Sequence, residues 1–346
     1  MTVATPARFA LRIGALELSS PVLIAPMVGI TDVPCRELAL EFGAGLVSTE
    51  MLASEALVRS RDASLHLLDF PAGLGPAGAQ LVGCDPSVMA DAAQICVERG
   101  AEMIDVNLGC PVKKVVGRGS GAALARDVPA TATVLRAMVD AVAVPVTAKM
   151  RLGWDTQSIN APELARALAD VGVSAITVHG RTRCQGYAGD ADWQEIARVK
   201  EAVGIPVIGS GDVEDVRLIE RRIRAGVVDG VVIARGMLGN FWLIRQATHL
   251  LATGEVLDDL DFAARMTLCR RHLDMLIAYH GAQRALRVGR KYVAWSIKGC
   301  NGAARLRAMV QELDSLDMLD TIFEGALAAG LGPEGWFRPI FTSGEG

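Results

Sequence analysis

The chain has 346 residues, with 35 Lys+Arg against 39 Asp+Glu, a formal net charge of −4, and 51% apolar residues. That apolar content excludes a disordered chain, and the length suits one large domain or a large one with a smaller companion. Taken as a sum, the −4 charge argues against a nucleic-acid partner.

In chain order, Phe9–Leu18 alternates around Gly14 and reads as a small hairpin able to plug a barrel floor. Eight short apolar, β-branched runs follow: Val22–Pro26, Gly45–Thr49, Ala79–Val82, Met103–Asn107, Pro145–Lys149, Ala175–His179, Pro206–Gly209 and Gly230–Ala234. Each is too short for a helix and is bounded by Gly, Pro or a polar residue, so each reads as a buried parallel strand. Helix-patterned stretches lie between them. Asp32–Phe42 begins with a capping Asp and a Pro in its first turn, and Ala53–Leu68 is irregular. Pro86–Glu98, Pro129–Ala141, Ala161–Val171, Asp192–Val203, Glu214–Ala225 and Asn240–Ala252 repeat the pattern.

This alternation predicts an α/β fold, a (β/α)8 TIM barrel spanning residues 1–253. A doubly wound open sheet is the alternative, but Pro26-Met27-Val28-Gly29 is not the glycine-rich turn that fold places after its first strand. Beyond about residue 255 the strand-like runs cease. Phe262–Tyr279, Ala285–Ile297, Ala303–Asp314 and Leu316–Ala329 read as helices of a smaller C-terminal all-helical domain, residues 254–346.

No span of about 20 apolar residues is present, so no membrane helix is expected. Met1–Ala10 lacks a signal peptide's basic start and apolar core, which points to the cytoplasm. The seven cysteines have no CxxC spacing, so neither a metal site nor a disulfide framework is expected. Nothing calls for an obligate protein partner.

In a barrel of this kind chemistry collects at the C-terminal ends of the strands. Read in order, those ends are Met27, Glu50, Gln80, Asn107 through Cys110, Lys149, His179, Gly209-Ser210-Gly211-Asp212 and Arg235-Gly236. The last two follow strands seven and eight, the usual phosphate site of such barrels, and the glycines let backbone amides approach a ligand. Lys149 suits either a Schiff base, as in aldolases, or the stabilisation of charge on a flavin. Cys110 leaves its strand in a Gly/Pro turn aimed at the mouth. An ordinary thiol titrates near ~8.5 and keeps its proton at neutral pH, so a cysteine placed there can act as a general acid, or as a nucleophile if activated.

At these residues the sequence resembles the tRNA-dihydrouridine synthases, and within them the bacterial B-type subfamily. The resemblance rests on APMVGITDVPCR (25–36), QLVG (80–83), IDVNLGCPVKKVVGRGSGAALARD (104–127) and VPVTAKMRLGWD (144–155). It continues through ITVHGRTRCQGYAGDADW (176–193), IPVIGSGDV (205–213), DGVVIARGMLGNFW (229–242) and RVGRKYVAW (287–295). It implies an FMN-dependent barrel with a helical tRNA-binding domain, which reduces the C5=C6 bond of selected tRNA uridines with NADPH. By that likeness Pro26, Met27 and Val28 line the flavin ring, Gln80 and Lys149 bind its polar edge, and His179 lies beside it. Ser210, Gly211, Asp212, Ala234 and Arg235 hold the ribityl-phosphate end, Ser210 and Ala234 standing where the family usually has Asn and Gly. Asn107 faces the uracil, hydride goes to C6, and Cys110 gives the proton to C5. Rival readings are an FMN oxidoreductase of a free pyrimidine or dihydroorotate, a tRNA-binding factor with secondary catalysis, and a Schiff-base aldolase.

The charge distribution then bears on tRNA. Residues 256–346 carry 11 basic and 11 acidic side chains, yet from Met275 to Gln311 no acidic residue occurs. The seven cations in that stretch are Arg284, Arg287, Arg290, Lys291, Lys298, Arg305 and Arg307. Positions 284, 287, 291 and 298 fall near one helical face, and such a one-signed run favours an RNA backbone. Lys113, Lys114, Arg181 and Arg183 flank the mouth and are candidates to grip neighbouring phosphates.

Overall fold

A computed structural model describes residues 9–59, 65–70, 73 and 75–332. The end of the expected second domain, residues 333–346, and part of the irregular stretch before the third expected strand lie outside the described residues. A hairpin of β1 (Leu11–Ile13) and β2 (Leu16–Leu18) opens the fold and turns on Gly14. Eight parallel strands follow: β3 (Val22–Ile24), β4 (Val47–Ala53), β5 (Ala77–Val82), β6 (Met103–Leu108), β7 (Val146–Arg151), β8 (Ala175–His179), β9 (Val207–Ser210) and β10 (Gly230–Ile233). Consecutive strands from β4 to β10 pair in parallel, and β10 pairs with β3. At the remaining seam Gly45 donates its N–H to the Val22 carbonyl at 2.8 Å, closing the barrel. The hairpin packs under it: Leu11, Ile13 and Leu18 share a buried cluster with Met103, Ala175, Ile208 and Val232.

The helices start where the sequence supplies caps. α1 (Val33–Glu41), α3 (Pro86–Glu98), α5 (Val128–Ala141), α7 (Trp193–Ala202) and α8 (Val216–Arg224) follow Asp32, Asp85, Asp127, Asp192 and Asp215, whose carboxylates accept from first-turn N–H groups. Between them lie α2 (Ser54–Arg59), a single turn α4 (Lys113–Val116) and α6 (Ala161–Asp170). α9 (Trp242–Thr253) packs against α8 and β3 on the outside of the barrel and stops at Gly254, which adopts a left-handed cap with φ 83°.

The barrel departs from expectation at its second strand. β4 runs on to Ala53, with its register slipping between Ser48 and Met51. A bulge re-aims the residues it carries, and here Glu50 turns to accept the Gly29 N–H at 2.7 Å.

Four helices follow among the described residues: α10 (Phe262–His280), α11 (Ala282–Ser296), α12 (Ala303–Gln311) and α13 (Leu316–Ala329). They enclose their own apolar core around Met266, Leu273, Val293, Leu306, Leu319 and Phe323. Their seam against the barrel is polar and aromatic. His280 Nε2 lies 2.9 Å from Asp32 Oδ2, Tyr279 donates to Asp69 Oδ2 at 2.7 Å, and Tyr292 donates to the Ile30 carbonyl at 3.0 Å. His272 inserts between Phe241 and Tyr292.

Candidate active site

Parallel register stacks the inward-facing residues in layers. Gln80 pairs with Asp105 and Asp105 with Thr147, while one layer higher Asn107 pairs with Lys149 and Lys149 with Thr177. Side chains two apart on a strand share a face, so Asp105 and Asn107 both point into the barrel, as do Thr147 and Lys149. A small cavity of about 30 Å³ lies inside the barrel, lined by Pro26, Ser48, Asp105, Thr147, Lys149 and Thr177 among others.

The cysteine loop is held from two sides. Asn107 Oδ1 accepts the N–H groups of Gly109 at 3.1 Å and Cys110 at 2.8 Å. Arg151, 6% exposed, donates to the Gly109 carbonyl at 3.0 Å and to the Thr182 and Gly186 carbonyls at 2.9 and 2.8 Å. It ties the Cys110 turn to the loop after β8. Cys110 itself is half-exposed at the mouth.

The electrostatics of the mouth are strongly positive. Burial pushes His179 well below its ordinary pKa, and Arg151, Lys149, Arg181 and Arg235 push it in the same direction. At neutral pH it is a neutral imidazole. Lys149 is pushed down to about 8, by burial first and Arg151 second, with Asp105 pulling the other way. Arg235 stacks over the exposed ring of Tyr187 at 4.7 Å, and Arg151 approaches the same ring at 5.5 Å.

The turn after β9 is a built structure. Gly211 has φ 109° and Asp212 is the one described non-glycine residue with positive φ, at 52°. A Cβ at Gly211 would lie 2.6 Å from Ala191 and 2.9 Å from the His179 ring. Asp212 accepts both a bidentate contact from Arg181, at 2.8 and 2.9 Å, and the Ala191 N–H at 2.7 Å. Its carboxylate is therefore spent on the loop, and what it can offer an anion is backbone. Ser210 closes β9 and is buried, and Ala234 leads from β10 into the single turn Arg235–Met237.

Two expected phosphate contacts, Arg181 and Lys291, and one further cation of the acid-free stretch, Arg290, are held by partners inside the protein. Arg181 is 3% exposed and also donates to the Ala188 and Gly189 carbonyls, so it is a clamp for the β9 turn and not a surface grip. Lys291 reaches across the seam to donate to the Gly29 carbonyl. Arg290 donates to the Leu313 carbonyl and ties α11 to the end of α12. Arg284 and Arg287 remain exposed on α11, Lys298 is half-exposed beyond it, and Lys113 and Lys114 are exposed on α4 beside the cysteine loop. Arg183 lies over Trp154 at 4.5 Å, whose ring also carries Arg126 at 4.6 Å. Pro26, Met27 and Val28 form the lip after β3, Val28 being 66% exposed.

Sequence reasoning missed Asp105, Arg151 and Tyr187. The first two carried a signal: a charged residue two positions from a site residue on the same strand shares its inward face.

With this geometry in place, comparison with known proteins is decisive. A model of the dihydrouridine synthase (Dus) family matches residues 23–326. The chain belongs to the dihydrouridine synthase family. It is 42% identical over 316 residues to a probable tRNA-dihydrouridine synthase of Rickettsia bellii, covering 91% of this chain and 97% of that one. It is 38% identical over 326 residues to tRNA-dihydrouridine synthase B of Xanthomonas axonopodis pv. citri, covering 93% and 98%. To the B enzyme of Pseudomonas aeruginosa it is 39% identical over 307 residues, covering 88% and 92%. Within the Dus family it is therefore B-like. Among solved structures it resembles histamine dehydrogenase from Rhizobium sp. 4-9, with a TM-score of 0.53 at 14% identity, covering 82% of this chain and 51% of that one. It also resembles the 6-hydroxypseudooxynicotine amine oxidase from Pseudomonas geniculata N1, with a TM-score of 0.57 at 14% identity, covering 72% and 50%. At those identities the likeness is one of fold, and the chain spans about half of each of those proteins. No group of His, Cys, Asp or Glu suited to a metal occurs among the described residues, and none of their helices is long and apolar enough to cross a membrane.

Proposed function

We propose that this Dus-family chain is a cytoplasmic tRNA-dihydrouridine synthase that uses FMN and NADPH to reduce the C5=C6 bond of a tRNA uridine. The barrel, residues 1–253, would carry the chemistry, and residues 254–346 would bind tRNA. The observation that carries this reading is Cys110 presented at a cationic barrel mouth on a loop pinned by both Asn107 and Arg151.

The donor set fits FMN. Lys149 and Gln80 would supply an ammonium and an amide to the ring's polar edge, and Pro26, Met27 and Val28 would provide an apolar wall. The Ser210–Asp212 turn and Ala234–Arg235 offer backbone and a guanidinium to a phosphate. FMN bound there would pass hydride from NADPH to C6 of the uracil. Lys149, still largely protonated at neutral pH, stabilises negative charge at the ring edge. Cys110 holds the proton for C5, and its anchored loop keeps the thiol at a fixed distance from the base. His179, neutral, hydrogen-bonds without adding to the positive charge. A uridine must leave its stack to reach this depth, and the exposed Arg284, Arg287, Lys113 and Lys114 would hold the flanking phosphates.

The test is a purified chain that is yellow, oxidises NADPH, and converts uridine in tRNA but not free uracil or orotate. Reduction of the free pyrimidine at a comparable rate would favour the small-molecule reading instead.

A further inference from the structure

Four side chains and two backbone amides form one continuous hydrogen-bonded chain beneath the mouth. Thr147 donates its hydroxyl to Asp105 Oδ1 at 2.8 Å, and Gln80 Nε2 donates to Asp105 Oδ2 at 2.6 Å. Asn107 Nδ2 donates to Gln80 Oε1 at 2.8 Å, and the Gly109 and Cys110 N–H groups donate to Asn107 Oδ1. A carboxamide has one donor end and one acceptor end and on its own can sit either way round. Here the two ends of the chain decide. The Asp105 carboxylate accepts through both oxygens, and a backbone N–H can only donate. One assignment alone makes every bond. Turning either amide sets donor against donor or acceptor against acceptor in a buried place, where an unmade bond is most costly.

We propose that Asp105, acting through Gln80, is a positioning residue that fixes Asn107 as a hydrogen-bond donor toward the substrate base while committing the Asn107 oxygen to the Cys110 loop. This rests on the proposed activity, in which Asn107 faces the target uracil. The Asn107 oxygen already carries two bonds, and its nitrogen retains one unspent N–H. The site therefore offers a donor, which suits a pyrimidine carbonyl and opposes the exocyclic amine of cytosine. Uridine selectivity and the placement of the proton donor are set by one buried carboxylate.

The chain can be reversed by design. In Asp105→Asn the new amide keeps its oxygen on Gln80 if its nitrogen turns to Thr147, whose hydroxyl can swing toward Met103 Sδ, 3.7 Å away. This variant melts somewhat below the wild type. In Asn107→Asp the loop amides are still accepted, but the second new oxygen meets Gln80 Oε1, and turning Gln80 only moves that clash to Asp105. In the double variant Thr147 donates to the new amide at 105, that amide donates to Gln80, and Gln80, turned, donates to the new carboxylate at 107. Every bond is remade, with the same net charge and the opposite polarity.

The experiment is a thermal-melt cycle on the purified full chain, with tRNA reduction and NADPH oxidation measured alongside. The expected result is a reversal of sign: Asp105→Asn lowers the melting temperature of the wild type and raises that of Asn107→Asp. If Asn107→Asp does not accumulate in soluble form, recovery of soluble protein in the double variant is the same test. In the double variant the site now offers the base an acceptor, and tRNA reduction falls at least about 100-fold relative to its NADPH oxidation. Equal losses of melting temperature in both backgrounds overturn the coupling, and tRNA reduction at the wild-type rate by the double variant overturns the polarity readout. A sign reversal in a chain whose wild type reduces no tRNA leaves the hydrogen-bond chain standing and sinks the activity.

Discussion

His272 links the helical domain to the barrel through a titratable group that the fold holds neutral. It is 2% exposed on α10, with the barrel's Phe241 ring edge-on at 5.2 Å and the Tyr292 ring at 4.3 Å. Its Nε2 is buried without a hydrogen-bond partner. Burial pushes its pKa down to about 4, against an ordinary value near ~6.5. The unfolded chain thus binds the proton more tightly, and stability present in full above pH ~6.5 is lost as the pH falls through 4. A gap of roughly 2.5 pKa units at ~1.36 kcal/mol each amounts to about 3 kcal/mol by pH 4. His272→Phe keeps a ring between Phe241 and Tyr292 and removes the titration. Thermal melts of both proteins at pH 7 and pH 4 should show a smaller acid loss in the variant, by about 3 kcal/mol. Identical pH dependence in the two would refute the reasoning, because every other titratable group is common to both.

Cys110→Ala should retain flavin and NADPH oxidation while tRNA reduction falls by about 10²–10⁴-fold, the usual worth of a positioned acid; stopped-flow traces with and without tRNA separate the two steps. Arg284→Glu with Arg287→Glu should weaken tRNA binding and flatten its salt dependence by roughly two counterions, leaving NADPH oxidation intact, as read by filter binding across a salt series. Gly211→Ala should lower the flavin-to-protein ratio of the purified chain and destabilise it by about 1–3 kcal/mol, since the left-handed φ and the His179 contact both oppose a Cβ.

The barrel is legible in the sequence because β-branched runs alternate with capped helical stretches, and the ends of those runs carry Gln80, Asn107, Cys110, Lys149 and His179. Less legible is how much of the cationic chemistry is internal. Nothing in HGRTR distinguishes the buried clamp Arg181 from the stacked Arg183, because burial is decided by the β9 turn folding back through Asp212, some thirty residues on. Lys291 fits a helical face with Arg284 and Arg287, but a face of α11 is shared between solvent and the barrel seam, and the lysine lies on the seam side. Asp105 is hidden by its neighbours: in a run reading Ile-Asp-Val-Asn, the acid is a structural polar residue until the register shows Gln80 and Thr147 beside it. The whole-chain charge misleads for a related reason. It averages an acid-free helical stretch against acidic caps on the barrel helices, and where the charges lie decides what RNA meets.

The central claim is tested most directly by incubating the purified chain with NADPH and an unmodified tRNA transcript, then digesting the RNA and weighing its nucleosides. The expected product is a uridine that has gained two hydrogens, formed by the wild type and nearly absent with Cys110→Ala. Unchanged uridine with an active, flavin-loaded protein, or equal product from the alanine variant, would contradict the claim.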